Sequence, residues 1–299
     1  MSSPASQWMN QRAHREPRVA GLARLTCAAI GGLACTATGL TAQDWSTVTA
    51  SRQLSGEREM HVHVEYGAGV LDLRPGEPGT LYRMELRYDR DLMEPETHYE
   101  DGILEIGMDR VGRGIRMGSR DGSGRLDLEL SPEVPLLLDL EFGAARAELD
   151  LGGLAVRELH VETGASDTRI EVSVPNPVQL ELASFEAGAA NLVATGLGNL
   201  NAERIRLEAK AGKATLDFDG EWQRDADVDL ALDLGAVELR FPRGLGVQLV
   251  VDALLTSVDA QEMFRRGDSY FSPDWDSAET RLTMEIDAHI GAIEVVWTR

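Results

Sequence analysis

A glycine, usually followed by alanine, returns along this chain at a nearly constant step. It occurs as Gly143-Ala144, Gly164-Ala165, Gly188-Ala189, Gly212-Lys213 and Gly235-Ala236, at steps of 21, 24, 24 and 23 residues. Outlying copies stand at Gly67-Ala68 and Gly291-Ala292. A period in the twenties points to stacked repeats, each too small to bury its own apolar face. The alternation around the glycines slips by one residue. Before Gly235 the apolar residues are Leu230, Leu232 and Leu234; after it they are Val237, Leu239 and Phe241. At Gly143 the set passes from Leu138, Leu140 and Phe142 to Ala145, Ala147 and Leu149. The same slip occurs at Gly67, Gly164, Gly212 and Gly291. Such a slip turns every side chain to the opposite face, so a bend must accompany it. Glycine suits a bend because it accepts φ > 0 without strain.

Two structures satisfy that pattern: a hairpin with a two-residue turn, or a corner where the chain turns without folding back. A hairpin tip is exposed and usually polar, whereas six of the seven copies here carry alanine after the glycine. Equivalent positions in a stack lie about 4.8 Å apart, and a column of small side chains lets a tight corner repeat. The fold expected is therefore all-β: a single-stranded parallel β-solenoid, a β-helix-like stack, with an antiparallel hairpin-built sandwich as the alternative. Gly152-Gly153, Pro175-Asn176-Pro177, 196–201 and 220–225 break each period once more. Val258 to Phe264 is the best helical candidate, about two turns long. Residues 109–124 carry five glycines and four arginines without periodicity and read as a mobile loop.

The formal net charge is -21, and Lys210 and Lys213 are the only lysines. So acidic a surface repels nucleic acid and anionic lipid, discourages edge-to-edge pairing, and attracts Ca²⁺ at most weakly. The N-terminus reads as an export signal. Arg12, Arg15, Arg18 and Arg24 precede the uncharged Leu25 to Leu40, and Ala42 is a plausible cleavage point. A retained membrane anchor is the runner-up. Both cysteines, Cys27 and Cys35, fall in this segment, so a mature chain would have no disulfide framework. Cys35 is a candidate for lipid attachment.

At Gly67-Ala68-Gly69-Val70-Leu71-Asp72-Leu73, then Leu81, Tyr88, Pro95 and Leu104-Glu105-Ile106, the chain resembles the N-terminal toast-rack domain. The ending, Gly267 to Asp274 and then Gly291-Ala292-Ile293-Glu294-Val295, is similar to the C-terminal region of LiaF-like and adhesin-type β-repeat domains. The expected organisation is a signal peptide at 1–42, a polar lead-in at 43–58, a toast-rack-like β domain at 59–125 and a β-solenoid repeat domain at 126–299. The resemblance implies a bacterial protein of the cell envelope, exported or periplasmic, and supplies no catalytic residues. Some LiaF-like members tune cell-wall stress signalling, but they carry several membrane helices before the β domain.

Candidate chemistry is sparse. His61 and His63 leave one face of a strand, a geometry that can hold a metal, but no third ligand is apparent nearby in the sequence. Asp268, Asp274, Asp276 and Glu279, with Ser269 and Ser272, offer hard oxygens for Ca²⁺ without the spacing of a known calcium loop. Asp217 and Asp219 share a strand face and read equally as solvated charge. No Gly-x-Ser-x-Gly elbow occurs, and Gly112-Arg113-Gly114 lacks the context of a phosphate loop. Tyr270, Phe271, Trp275 and Trp297 read as a plug for the open end of the stack rather than a partner surface. Glu141, Glu148, Asp150, Glu158, Glu162, Asp217, Asp229 and Asp233 form an outward acidic wall. No catalytic, cofactor or metal residue is assigned, and no enzymatic activity is expected. The function expected is a non-catalytic envelope scaffold or interaction module. Its partners would be envelope proteins or cell-surface components, not nucleic acid, and it would meet membrane only through an uncleaved signal or a lipid anchor. The alternatives are a LiaF-type stress-signalling regulator and a carbohydrate-active β-helix enzyme.

Overall fold

In the computed structural model the recurring glycines, Gly164 excepted, lie inside strands and not between them. Residues 44–110 and 124–298 are described; they belong to a compact unit spanning Gln43–Arg299. The expected signal segment, both cysteines and residues 111–123 of the expected mobile loop lie outside the described residues. The all-β expectation holds. The strands are β1 (Trp45–Gln53), β2 (Met60–Pro75), β3 (Thr80–Asp89), β4 (Met93–Glu100), β5 (Ile103–Arg110) and β6 (Arg125–Leu130). There follow β7 (Leu136–Asp150), β8 (Val156–Thr163), β9 (Asp167–Glu171), β10 (Leu180–Thr195), β11 (Ala202–Asp217) and β12 (Ala226–Pro242). The last four are β13 (Gly246–Asp259), β14 (Phe264–Arg266), β15 (Ser269–Phe271) and β16 (Arg281–Thr298). The sole helical turn among the described residues is 3-10, at Leu197–Leu200.

The long strands pair in parallel, one above the next. β2 pairs with β7, and β7 with β8 and then β9, which share one level on either side of Gly164. β10 covers both, β11 follows, and then β12. The order then departs from the sequence: β16 lies between β12 and β13, parallel to both. The stretches 59–125 and 126–299 share this sheet, because β2 pairs with β7 from Met60 to Leu73. Antiparallel pairing is confined to the two ends. At one, β5 and β6 run along the two halves of β2 and carry β4, and β3 with β1, on their outer edges. At the other, the hairpin of β14 and β15 runs along β13 at Gln248–Val250.

The slip in alternation is visible in burial. In β12, Val228, Leu230 and Leu232 are buried before the glycine, and Val237, Leu239 and Phe241 after it. Leu234, at the turn of phase, is 55% exposed. Residues from both arms of β2, β7, β10, β11, β12 and β16 join one apolar cluster running from Met60 to Val295, whereas β13 contributes only its first arm. Each fully buried Leu, Val or Phe contributes about 1.5–3 kcal/mol, and the repeat of that gain at every level offsets the small size of each level.

The glycines stack in two runs, Gly67 to Gly188 and Gly212 to Gly291, offset by two residues where Ala190 and not Gly188 lies beside Gly212; the reason for glycine is mainly steric. A Cβ on Gly143 would strike the carbonyl oxygen of Gly67; one on Gly188 would strike that of Gly164. Farther along, Gly212 sits over the Ala190 carbonyl, Gly235 over that of Gly212, and Gly291 over that of Gly235. Positive φ, the reason expected from the sequence, applies to the later members, such as Gly212 (129°) and Gly235 (152°). It does not apply to Gly67, Gly143, Gly164 or Gly188.

Side chains close the connections between levels. The buried Asn176 donates from Nδ2 to the carbonyls of Val156 (2.7 Å) and Leu200 (3.0 Å). Asn199 donates to that of Val172 (2.8 Å) and Asn201 to that of Val178 (3.0 Å). These satisfy loop carbonyls that would otherwise be buried without partners. The helix expected at Val258–Phe264 is absent. Val258 pairs with Ile293 in the sheet, and Ala260–Met263 form a turn closed by a Met263 N–H to Ala260 carbonyl bond (3.2 Å), with Glu262 at φ 64°. Strand pairing outcompetes a helix too short to hold itself.

The steric account makes Gly143 and Gly67 a matched pair, because a Cβ at Gly67 meets nothing within 4 Å. Gly143→Ala should destabilise the chain by about 1–3 kcal/mol, the usual cost of overpacking. Gly67→Ala should be neutral or slightly stabilising. Chemical denaturation of the two variants checks this, and equal losses would contradict it.

Candidate metal centre on an acidic face

Before the bend, odd-numbered residues of β2 point outward, since Met60, Val62, Val64 and Tyr66 are buried. In-register pairing carries each outward residue onto its equivalent in the next strand. Glu65 lies beside Glu141, Glu141 beside Glu162, Glu162 beside Glu186 and Glu186 beside Glu208. Five glutamates thus occupy one row at the strand spacing of about 4.8 Å. Two residues after the first four come Gly67, Gly143, Gly164 and Gly188, so a strip without side chains borders the row. Beyond the bend the outward residues are mixed in charge and paired: Arg74 with Glu129 (2.6 Å), Arg125 with Asp127 (2.8 Å), and Glu238 with Arg240 (2.6 Å) and Lys213 (3.4 Å).

The row ends in a cluster of different chemistry. His63 and Asp139 are sheet partners, two residues before Glu65 and Glu141. His63 donates from Nδ1 to Asp139 Oδ2 at 2.9 Å, and its Nε2 lies 3.2 Å from Glu65 Oε1. One ligand atom from each of His63, Glu65 and Glu141 lies within 4.8 Å of the others, the only such group of three among the described residues. The hydrogen bond to Asp139, opposed by burial and aided by Glu65, pushes the His63 imidazole up to about 9 from its ordinary 6.5. The third candidate donor, Glu141, comes from β7, far from His63 in the sequence. His61 takes no part: its Nε2 is 3.5 Å from Glu59, which also meets Arg157 at 3.1 Å.

The other candidates are dispersed or structural. Asp274 accepts from the Gly244 N–H (3.0 Å), while Asp276 pairs with Arg266 (3.3 Å), so the loop carboxylates face separate partners. Asp217 accepts from the Asp219 N–H (3.0 Å), and Asp219 from the Gly220 N–H (2.9 Å), as turn-closing residues. Tyr270 and Phe271 lie in β15, on the edge of β13. Trp275 meets Phe271 edge-on at 5.3 Å. Trp297 instead extends an aromatic stack through Phe241 (5.8 Å) to Phe218 (5.2 Å).

Fold and face together define an all-β protein built by repetition of a bent strand. Residues 41–195, just over half the chain, match the family described as the N-terminal domain of toast_rack, DUF2154, and the chain belongs to that family. The stretch from Met60 to Ile106, which resembles the N-terminal toast-rack domain, lies within the match. No curated protein matches the sequence. Among solved structures, the chain is similar to a "putative cell adhesion protein" from Clostridium sporogenes, at 14% identity and a TM-score of 0.43, over 85% of this chain and 100% of that one. It is also similar to a "putative adhesin" from Bacteroides fragilis (8%, TM-score 0.36, over 84% and 97%). A third is a "putative lipid binding protein" from Parabacteroides distasonis (14%, TM-score 0.30, over 85% and 97%).

Two outcomes follow from the face. Stacked like charges oppose the pairing of neighbouring strands, so Glu186→Gln should raise stability by about 0.2–1 kcal/mol, with the gain shrinking in high salt. Thermal melts at two ionic strengths check it. For His63 the folded value exceeds the unfolded one. Its stabilisation is therefore complete below about 6.5 and is lost as pH rises toward about 9. NMR titration should place the His63 ring near the upper value in the folded chain, and Asp139→Asn should return it toward the ordinary one.

Proposed function

We propose that this chain is a non-catalytic, exported module of the cell envelope. Its parallel stack is a single-stranded β-solenoid that serves as a scaffold and presents a fixed acidic face to other envelope components. The observation that carries this reading is the glutamate row. A sheet holding five carboxylates in register at one spacing offers a rigid, repeating surface for a cationic partner, with charge complementarity supplying orientation and encounter rate. Export is supported by the arginine-led apolar segment ending at Ala42. Among the described residues no helix is long and apolar enough to cross a membrane, so membrane attachment would rest on the N-terminal segment.

Fractionation of the native host, with mass spectrometry of the mature N-terminus, tests the proposal. A start at Gln43 in the periplasm, or a lipid-modified Cys35 in the membrane fraction, is the expected result. An unprocessed chain in the cytoplasm would overturn the export reading. Turnover of acidic polysaccharides, abolished by a single Asp→Ala change, would overturn the non-catalytic one. Co-purification of a sensor histidine kinase would replace the scaffold with a LiaF-type regulator.

A further inference from the structure

We propose that His63, Glu65 and Glu141 form a binding site for one divalent transition-metal ion of the zinc class, with Asp139 as the residue that orients the histidine. A row of carboxylates alone attracts cations diffusely. An imidazole at its end, clamped in one orientation, changes the chemistry. Asp139 occupies Nδ1, so an ion would bind at Nε2, displacing to solvent the proton that Nε2 shares with Glu65. A carboxylate holding the distal nitrogen of a ligating histidine is the recurring partner arrangement of protein-bound zinc. Glu65 Oε1 already lies 3.2 Å from Nε2, close to the separation of about 3.3 Å between two donors that each sit about 2.0–2.1 Å from a tetrahedral ion. Glu141 arrives from the neighbouring strand, and its ligand atom lies within 4.8 Å of the other two. A side-chain rotation on the outer face closes the remaining gap, and the open space at Gly67 leaves room beside it.

Donor type sets the class of ion. One nitrogen and two carboxylates suit Zn²⁺ and its first-row neighbours, whereas Ca²⁺ and Mg²⁺ prefer oxygen alone. Three protein ligands leave a position for water. An ion here would bridge β2 and β7 at the first levels of the stack. Because the unfolded chain does not hold these donors together, binding favours the folded state by mass action.

Calorimetric titration of the chelator-treated full chain with ZnCl₂, in parallel with CaCl₂, tests this, together with thermal melts. The expected result is one zinc per chain and a higher melting temperature with zinc. His63→Gln and Glu141→Gln should each weaken zinc binding at least tenfold and abolish the thermal gain. Glu279→Gln, in the turn before β16, should leave both unchanged. Asp139→Asn should keep the stoichiometry and weaken affinity by about 10–100-fold, as expected for an orienting partner. With CoCl₂, visible absorption of a nitrogen-containing low-coordinate site should appear and vanish in His63→Gln. Unchanged zinc affinity in both His63→Gln and Glu141→Gln, calcium binding as tight as zinc, or no zinc uptake would each overturn the proposal. Circular dichroism of both variants separates lost ligands from lost folding. The scaffold reading stands or falls independently, since none of these outcomes depends on export or on a partner.

Discussion

The whole stack depends on how closely one backbone lies over the next at the bend. From β2 to β12 each level turns where a carbonyl oxygen faces the α-carbon of a glycine on the neighbouring level, whereas Gly291 of β16 lies beside Thr256 of β13. Any side chain there would push two levels apart, and the displacement would pass to both arms, because the same strand forms both. Hydrogen-bonded pairing on each side of the bend holds the approach. The apolar cluster rewards it, since the change of phase at the bend keeps both arms turned inward. Glycine spacing, strand register and core burial are thus one constraint seen at three scales.

That constraint governs charge as well. Parallel in-register pairing sets residues of like position side by side, so whatever the sequence repeats becomes a row. Before the bend the repeated residue is glutamate, and the row is uniform. Beyond the bend the sequence does not repeat its charges, and cation and carboxylate meet both across strands and along one strand. The His63 cluster sits where the uniform row reaches its first level and a second residue type enters.

Much of this was legible in the sequence because it is periodic. The glycine step, the one-residue slip and the all-β character are local patterns, and they survive into the structure. The glutamate row is equally legible, as Glu-x-Gly at Glu65, Glu141, Glu162 and Glu186, but only when the acids are placed by their distance from the glycines and not by charge alone. The steric need for glycine was not legible, because it lies in the neighbouring level rather than in the residue's own φ. Nor was the pairing of His63 with Asp139. The two stand 76 residues apart, and their meeting depends on β3 to β6 forming a separate end of the sheet while β7 returns to β2. The Val258–Phe264 helix failed for a related reason: seven residues could not show that Val258 and Asp259 would pair with a strand that follows.

The position of β16 bears on assembly. β12 and β13 are consecutive in the chain yet do not pair; each waits for a strand made later to fill the gap between them. While the chain emerges, the stack can grow level by level only as far as β12, leaving two open edges until the final segment slots in. Unfilled edges of that kind invite pairing with other chains. The keystone strand therefore closes this end only when β12, β13 and β16 are all in place, unlike the stepwise addition that suits the levels before it.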